Sequence, residues 1–513
     1  MRVKVVFGLL FGLFAAFGVL TILRGTTPHQ APAPPASTAA AVASTTASSA
    51  SASAAASASG APASSSSAAA ADAGPIKLLD RPLRVISLGW DLAAPGVLAN
   101  GGLEPSAGSD FLAAGVETRI VATDVMTVVE AALARGGADK DGADVAILPF
   151  SQFVASYERL RALTPEAFFV LGWSRGREAV ISTKDALPTL NEKGEPKEVK
   201  MIGVAGEPAA FLGLFALDAA GIPASAVRLV PADTRPEDAA LAAVDRDAAP
   251  ADAARRNILL TTADASHLVP FVAVAQHGLL EKSNKALAAW ARVWLEGAKK
   301  LAADSPTAAR QIAAAPGAPE PIALLKRLGQ TGSATLTDNT RTAGLSGRSA
   351  MTLDALFQRT WRIWRAAGLL ATPAPEAAPI ATSVIAALVH SNPELITPAL
   401  GGARTAPAAG AGAGAGGKAT NALDSLRVMI TFRQAETKLD EADLISSAAF
   451  FADAFERSPL RVSVMKSGNV DAAATKHLID AVEERFDIAT GRLSAAKKAV
   501  PKAAAGIEVL AAP

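Results

Sequence analysis

The chain has 513 residues, which at about 150 residues per domain leaves room for roughly three domains. It carries 49 Lys and Arg against 48 Asp and Glu, a formal net charge of +1. That balance argues against a nucleic-acid partner, which needs a clustered basic surface. Cysteine is absent, which excludes disulfide scaffolds, thiolate metal sites and cysteine nucleophiles.

An uncharged apolar run extends from Val5 to Leu23. As a helix it would span about 28 Å, close to the bilayer core of about 30 Å. Arg2 and Lys4 precede the run, so the positive-inside rule places the N-terminus in the cytoplasm. Residues 1–26 are therefore predicted to be a single-pass anchor in the inner membrane, with the bulk of the chain in the periplasm. A cleaved signal peptide is the alternative, although its apolar region is usually shorter.

Two low-complexity segments divide the rest of the chain. Residues 27–74 are mostly Ala, Ser, Pro and Thr, and such a segment cannot bury enough apolar surface to offset its ordering entropy. Residues 401–421 form a Gly/Ala-rich linker. Two globular parts are therefore expected, at 75–400 and 422–513.

Short apolar runs alternate with helical stretches in the larger part. Strands are predicted over 84–88, 119–123, 144–150, 167–171, 200–204 and 228–230. Helices are predicted over 95–101, 125–134, from 151 onward, and over 208–220. The helix over 95–101 would have Pro95 in its first turn. This alternation predicts an α/β fold, in which ligands bind at the carboxyl ends of strands.

Several ordered segments carry a family resemblance: LRVISLGWDLAAPGVLANGGL at 83–103, ADVAILPFSQF at 143–153, FFVLGWSRGREAVIS at 168–182 and VKMIGVAGEPAAFLGLFALDAAGI at 199–222. They resemble the two-lobed (type II) periplasmic solute-binding proteins of ABC importers, of the phosphate or sulfonate type. The resemblance implies a hinged clamp that closes on a small solute, with an ABC permease as partner. It implies no covalent chemistry and no cofactor.

Carried over position by position, the resemblance implies a ligand cleft. Its residues would be Gly89, Trp90, Ser151, Gln152, Trp173, Ser174, Arg175, Glu207, Ser266 and His267. Ser151 would begin a helix, where backbone N–H groups can hold an anion, and Arg175 can pair with a carboxylate, phosphate or sulfonate. The alternative interpretation makes the two tryptophans core residues and Arg175 a solvated loop charge.

Two departures from the family pattern argue against an anion site. Glu207 stands where relatives place a small or hydroxyl residue, and its carboxylate would repel an anion. The stretch 231–258 shows no apolar strand, so one wall of the cleft is predicted to be missing.

Catalytic and metal chemistry is not expected. Ser174 lies in a literal G-x-S-x-G, the pattern of a hydrolase nucleophile, but the residues that follow read as strand or loop instead of helix. The histidines at 29, 267, 277, 390 and 477 lack the i, i+4 spacing of a helical zinc site. A hydrolase acting through Ser174 is the least favoured hypothesis.

The C-terminal part is predicted to contain strands over 426–432, 460–465 and 506–510 and helices over 440–456 and 471–486. This order, with FRQAETKLDEAD after the first strand, resembles the OmpA-like peptidoglycan-binding domain. The resemblance implies an Asp and an Arg that grip the stem peptide. Leu478 stands in the place of that Arg, and Asp471 and Lys476 are the nearest charged candidates. Peptidoglycan binding and a packing or partner-binding role are both open.

The leading hypothesis is thus a cell-envelope binding protein that closes two lobes on a small solute. The candidate solutes include phosphate, sulfonates and other anions, and the OmpA-like module is a candidate tether to peptidoglycan. The alternative is an envelope scaffold in which both modules have lost their ligands and bind protein partners.

Overall fold

The computed structural model describes residues 77–182, 198–219, 222–235, 239–247, 257–396, 427–430, 441–456, 460–466, 469–486, 488, 490–495 and 507–511. The predicted anchor at 1–26 and the predicted linkers at 27–74 and 401–421 lie outside these residues. Within them, no helix combines the length and apolarity that a membrane crossing requires.

The strands of the described part are β1 (Leu83–Leu88), β2 (Thr118–Thr123), β3 (Val145–Pro149), β4 (Pro165–Ser174), β5 (Glu178–Ser182), β6 (Val199–Ile202), β7 (Val227–Val230), β8 (Leu241–Asp245), β9 (Asn257–Thr261), β10 (Pro270–Gln276), β11 (Thr331–Ser333), β12 (Arg427–Ile430), β13 (Leu460–Lys466), β14 (Asn469–Val470), β15 (Leu493–Ala495) and β16 (Ile507–Ala511). Its helices are α1 (Trp90–Asn100), α2 (Asp110–Ala113), α3 (Met126–Arg135), α4 (Phe150–Leu160), α5 (Pro208–Ala219), α6 (His277–Lys282), α7 (Asn284–Ala303), α8 (Ser305–Ala313), α9 (Pro321–Leu328), α10 (Leu336–Thr342), α11 (Leu353–Ala366), α12 (Ser383–Ser391), α13 (Glu441–Ala454) and α14 (Ala472–Arg485).

The first lobe is built on a mixed sheet in the order β11-β4-β10-β3-β1-β2. Strand β1 runs parallel to β2 and β3, whereas β10 pairs antiparallel with both β3 and β4. Helix α10 is fixed to this sheet through Asn339, whose side chain accepts a hydrogen bond from Val170 N–H at 2.7 Å and donates one to its carbonyl at 2.9 Å.

The second lobe is a mixed sheet in the order β7-β6-β8-β5-β9. The chain enters it through a first crossing segment, residues 174–178 between β4 and β5. It returns through a second crossing segment, residues 262–269 between β9 and β10. Two mixed sheets joined by two crossings confirm the predicted two-lobed, periplasmic-binding-protein-like α/β fold.

Two sequence predictions within this fold are wrong. The helix predicted over 95–101 begins at Trp90, so Pro95 lies inside it. The stretch 231–258, in which no apolar strand was expected, contains β8. This strand is alanine-rich because α5 crosses it closely: a Cβ on Gly213 would lie 3.3 Å from the Ala243 side chain. In β8, small side chains therefore allow close packing against the helix, whereas other strands fill this space with large apolar side chains.

Helix α11 packs between the two lobes. Its Phe357 meets Phe150 of α4 edge-on at 6.3 Å, and its Trp364 lies 6.0 Å from Phe211 of α5. Because α4 belongs to the first lobe and α5 to the second, aromatic rings of α11 fill the space between the lobes on this side.

The C-terminal part is a small sheet in the order β12-β16-β13-β14, with β15 paired to β13. Its strands and helices follow in the predicted order. Helix α13 shares the hydrophobic core of the second lobe, and the Phe451 and Phe215 rings lie 5.4 Å apart. The C-terminal part is thus packed against the two-lobed domain. Its OmpA-like identity stays a prediction.

Candidate functional site

A cleft of about 490 Å³ opens between the lobes. Trp90 and Asp91 line it from the first lobe, Arg177 from the first crossing segment, and Asp247 from the second lobe. Arg327 completes the wall from α9, which packs on α1 and beside β11. The cleft is therefore lined by side chains from both lobes and from the first crossing segment between them.

Local backbone geometry positions these side chains. Gly89 adopts φ 103°, a conformation that favours glycine, and α1 begins directly after it. Asp91 therefore stands in the first turn of α1, where the helix dipole favours a carboxylate. Gly176, at φ 86°, turns the chain so that Arg177 enters the cleft.

Arg177 holds carboxylates of both lobes. Its Nη1 lies 3.1 Å from Asp91 Oδ2, and its Nε lies 3.3 Å from Asp245 Oδ2. Burial favours the neutral guanidine, but Asp91, Glu178 and Asp245 outweigh this effect and raise the pKa of Arg177. Arg177 is therefore a fixed positive charge.

A second set of ion pairs closes the cleft from α9. Arg327 lies 2.9 Å from Asp245 and 3.3 Å from Asp247, and Lys326 Nζ lies 2.7 Å from Asp247. Burial of the Asp247 carboxyl would raise its pKa, but Lys326, Gln330 and Arg327 together lower it. We call Asp91, Arg177, Asp245, Asp247, Lys326 and Arg327 the interlobe ion-pair network.

Three predicted ligand residues have buried polar atoms without a hydrogen-bond partner among the described residues. These atoms are Ser151 Oγ, Trp173 Nε1 and Ser266 Oγ. Ser151 lies in the first turn of α4 beneath α11, where its carbonyl accepts a hydrogen bond from Trp364 Nε1 at 3.1 Å. Gln152 beside it is also buried. An unsatisfied buried polar group is costly, so such atoms commonly face a ligand or an ordered water.

Trp173, near the end of β4, and His267, in the second crossing segment, lie together with their ring centroids 4.6 Å apart. They border a cavity of about 20 Å³, enough for one water molecule. His267 Nε2 lies 3.0 Å from Glu456 Oε2, so this part of the predicted site is joined to the C-terminal part.

The other predicted ligand residues have separate environments. The backbone N–H of Arg175 donates to Gln330 O at 2.8 Å, and its guanidinium packs against Gly332, where a Cβ would lie 2.2 Å from its Nε. Glu207 immediately precedes α5, and burial raises the pKa of its carboxyl, an effect that Arg177 partly offsets. Trp90 alone among the predicted ligand residues lines the 490 Å³ cleft.

Ser174 is fully buried between two crossing-segment neighbours. Its hydroxyl donates to the Glu178 carboxylate and lies 2.9 Å from Thr262 Oγ1. The G-x-S-x-G sequence here joins strand β4 to strand β5, whereas a hydrolase nucleophile stands between a strand and a helix. Burial raises the pKa of the Glu178 carboxyl, and Arg177 and the hydroxyls of Ser174 and Thr262 only partly offset this effect.

The predicted peptidoglycan residues have local roles in α14. Asp471 caps this helix by accepting the Ala474 N–H at 3.0 Å, and Lys476 pairs with Asp480 one turn further on. Leu478 is buried. Their binding of peptidoglycan stays a prediction. Within the described ranges, His, Asp and Glu form no group of three suited to a metal ion.

Most residues of the interlobe ion-pair network were not predicted from the sequence. Asp91 lies one residue beyond the predicted Trp90, and Arg177 lies two residues beyond the predicted Arg175. Asp245 ends the alanine-rich β8 and Asp247 follows it, and no strand was predicted there from the sequence. Nothing in the sequence around Lys326 and Arg327 distinguishes them from ordinary charges at the end of an amphipathic helix.

No protein-family model matches the sequence, and no curated protein matches it. Among solved structures, the chain is similar to the periplasmic aliphatic sulphonate binding protein SsuA from Escherichia coli: 14% identical, covering 58% of this chain and 90% of that chain, with a TM-score of 0.40. A putative sulfonate-binding SsuA from Methylobacillus flagellatus KT is 13% identical, covers 62% of this chain and 96% of that one, and gives a TM-score of 0.41. A Candida albicans gene product with the generic periplasmic binding protein fold is 12% identical, with coverages of 61% and 95% and a TM-score of 0.36. These likenesses concern the fold alone. The strand order of the two sheets and the two crossings between them define this chain as a two-lobed α/β protein.

Proposed function

We propose that this chain is a solute-binding protein of the cell envelope whose lobes close on a small ligand in the cleft between them. The observation that carries the proposal is the composition of that cleft, which combines an aromatic wall, Trp90, with charged groups from both lobes and from the crossing segment. Such a cleft binds by closure and needs no covalent step. The periplasm is the proposed location, and an ABC permease is the proposed partner.

The charges of the cleft favour a zwitterion over a simple anion. Each of the three cations Arg177, Lys326 and Arg327 already meets a carboxylate. The surrounding carboxylates Asp91, Asp124, Asp245 and Asp247 outnumber them four to three. An anion would add negative charge to this site, whereas a ligand with both an ammonium and an acidic group could exchange partners with the existing pairs.

Thermal unfolding of the full chain tests this proposal. Taurine, a small zwitterion, is compared with ethanesulfonate and ethylamine, which carry only its acidic or only its basic group, and the common amino acids extend the panel. A ligand at 100 times its Kd should stabilise the protein by about 2.7 kcal/mol.

We expect a zwitterion to raise the unfolding temperature and its single-charge analogues not to. The Trp90→Ala variant should lose this shift, whereas Arg310→Gln, a change at an exposed position on α8, should keep it. If no zwitterion stabilises the protein, or if the shift survives in Trp90→Ala, the cleft is not the ligand site and the scaffold hypothesis is favoured.

The C-terminal part is proposed, on sequence resemblance alone, to contact peptidoglycan. Sedimentation with purified sacculi tests this point. Retention that is lost in a Lys476→Ala variant would support it, and absence of sedimentation would leave a packing role.

A further inference from the structure

A second groove, of about 980 Å³, lies between α11 and α13, apart from the cleft. One wall is basic and carries Arg359, Arg362 and Arg365 of α11. Trp361, Ala374 and Phe450 contribute apolar surface. The three arginines are spaced three residues apart, which places them along one side of the helix.

Arg359 is the buried end of this row. Its side chain is 16% exposed, and its guanidinium carbon lies 4.9–5.1 Å from the ring centres of Phe215, Phe450 and Phe451. Its Nε has no hydrogen-bond partner within the described ranges. Rings attract a cation through their faces but cannot accept its N–H groups as an anion can.

The groove has an excess of positive charge. Asp218 lies 3.7 Å from Arg359 and 3.9 Å from Arg362, so one carboxylate is shared by two cations while Arg365 adds a third. Burial lowers the pKa of Arg359 to about 10, an effect that Asp218 only partly offsets. Arg359 remains protonated at neutral pH, and its positive charge is not fully balanced, because it shares the Asp218 carboxylate with Arg362.

We propose that this groove binds an organic anion with an apolar tail, whose acidic head pairs with the three arginines and whose tail lies on Trp361 and Phe450. Guanidinium groups bind carboxylate and phosphate heads through paired hydrogen bonds. The apolar lining would remove the tail from water. This site is independent of the solute cleft and of the proposed function.

Isothermal titration of the full chain with decyl phosphate, below its micelle-forming concentration, tests the site. Inorganic phosphate supplies the head alone and decanol the tail alone. The test variant is Arg362→Gln with Arg365→Gln, since both side chains are exposed and neither supports the core. Arg310→Gln is the control for loss of a positive charge away from the groove, and Arg327→Gln is the control for binding in the cleft.

We expect decyl phosphate to bind more tightly than either fragment, and the double variant to bind it about tenfold more weakly or worse because charge-assisted hydrogen bonds are lost. Both single-arginine controls should bind it as the unchanged chain does. The proposal is overturned if decyl phosphate does not bind, if the double variant retains full affinity, or if Arg327→Gln is the variant that loses it.

Discussion

Replacing Arg327 by Gln should open the cleft. Arg327 makes ion pairs with Asp245 and Asp247 across the lobes, and its side chain is 28% exposed. Partly exposed pairs of this kind are each worth up to about 1 kcal/mol, so the substitution removes up to about 2 kcal/mol that favours the present arrangement of the lobes over an open one. Since 1.4 kcal/mol corresponds to tenfold, the ratio of closed to open molecules should fall, by up to about 30-fold.

Fluorescence energy transfer between the lobes measures this change. The chain has no cysteine, so Val128→Cys on α3 and Arg228→Cys on β7 give one exposed label site in each lobe. Transfer efficiency should fall in Arg327→Gln and stay unchanged in Arg310→Gln. Raising the salt concentration to 1 M should reproduce part of the opening, because it screens exposed pairs. If Arg327→Gln gives the same transfer efficiency as Arg310→Gln, the ion pairs do not hold the lobes together.

Three further tests probe the packing of the two-lobed domain and its contact with α13. Asp453→Ala removes the acceptor of two backbone N–H groups and the partner of Arg341 at 3.2 Å. The packing of α13 against the two-lobed domain should therefore be weakened by about 3–5 kcal/mol, which faster amide exchange in α13 would measure. Burial raises the pKa of Asp453, so the part of the stability that depends on its protonation is present below about pH 3.8 and is lost as the pH rises through the raised value. Protection of α13 should therefore fall over that range in the unchanged chain and not in Asp453→Asn, whereas the loss in Asp453→Ala comes from the missing acceptor and is expected on both sides of that range. Gly297→Ala should destabilise the crossing of α1 and α7 by about 1–3 kcal/mol in thermal unfolding, because its Cβ would lie 2.2 Å from Pro95 O.

The fold was largely predictable because its strands and helices have strong local signals. The apolar runs around 84–88 and 144–150 read as strands because they are continuous and rich in Val, Ile and Leu. The run around β8 failed because alanine carries little strand preference. Its place in the sheet is decided by the close passage of α5, a tertiary contact that no local pattern reveals.

The cleft was predictable only in part, because charge pairing is a property of the assembled lobes. The sequence pointed to Arg175, but Arg177 is the arginine that lines the cleft, because the turn at Gly176 sets which of the two faces it. Lys326 and Arg327 are more than 70 residues from Asp245 and Asp247 in sequence. Only the return of the chain to the first lobe brings them together.

The two crossing segments have different restraints, which bears on how the lobes could move. The first carries Arg177, held by carboxylates of both lobes. The second carries His267, whose backbone N–H donates to Ala454 O at 3.2 Å and whose imidazole ring lies beside the Glu456 carboxylate. Rotation of the lobes must change contacts at one crossing or both. Because the contacts at the second crossing come from the C-terminal part, ligand-driven closure and the docking of α13 should be energetically coupled, each altering the other by the same free energy. A ligand that closes the cleft should therefore change amide exchange in α13, and Asp453→Ala should change the affinity of the cleft for that ligand by the matching factor.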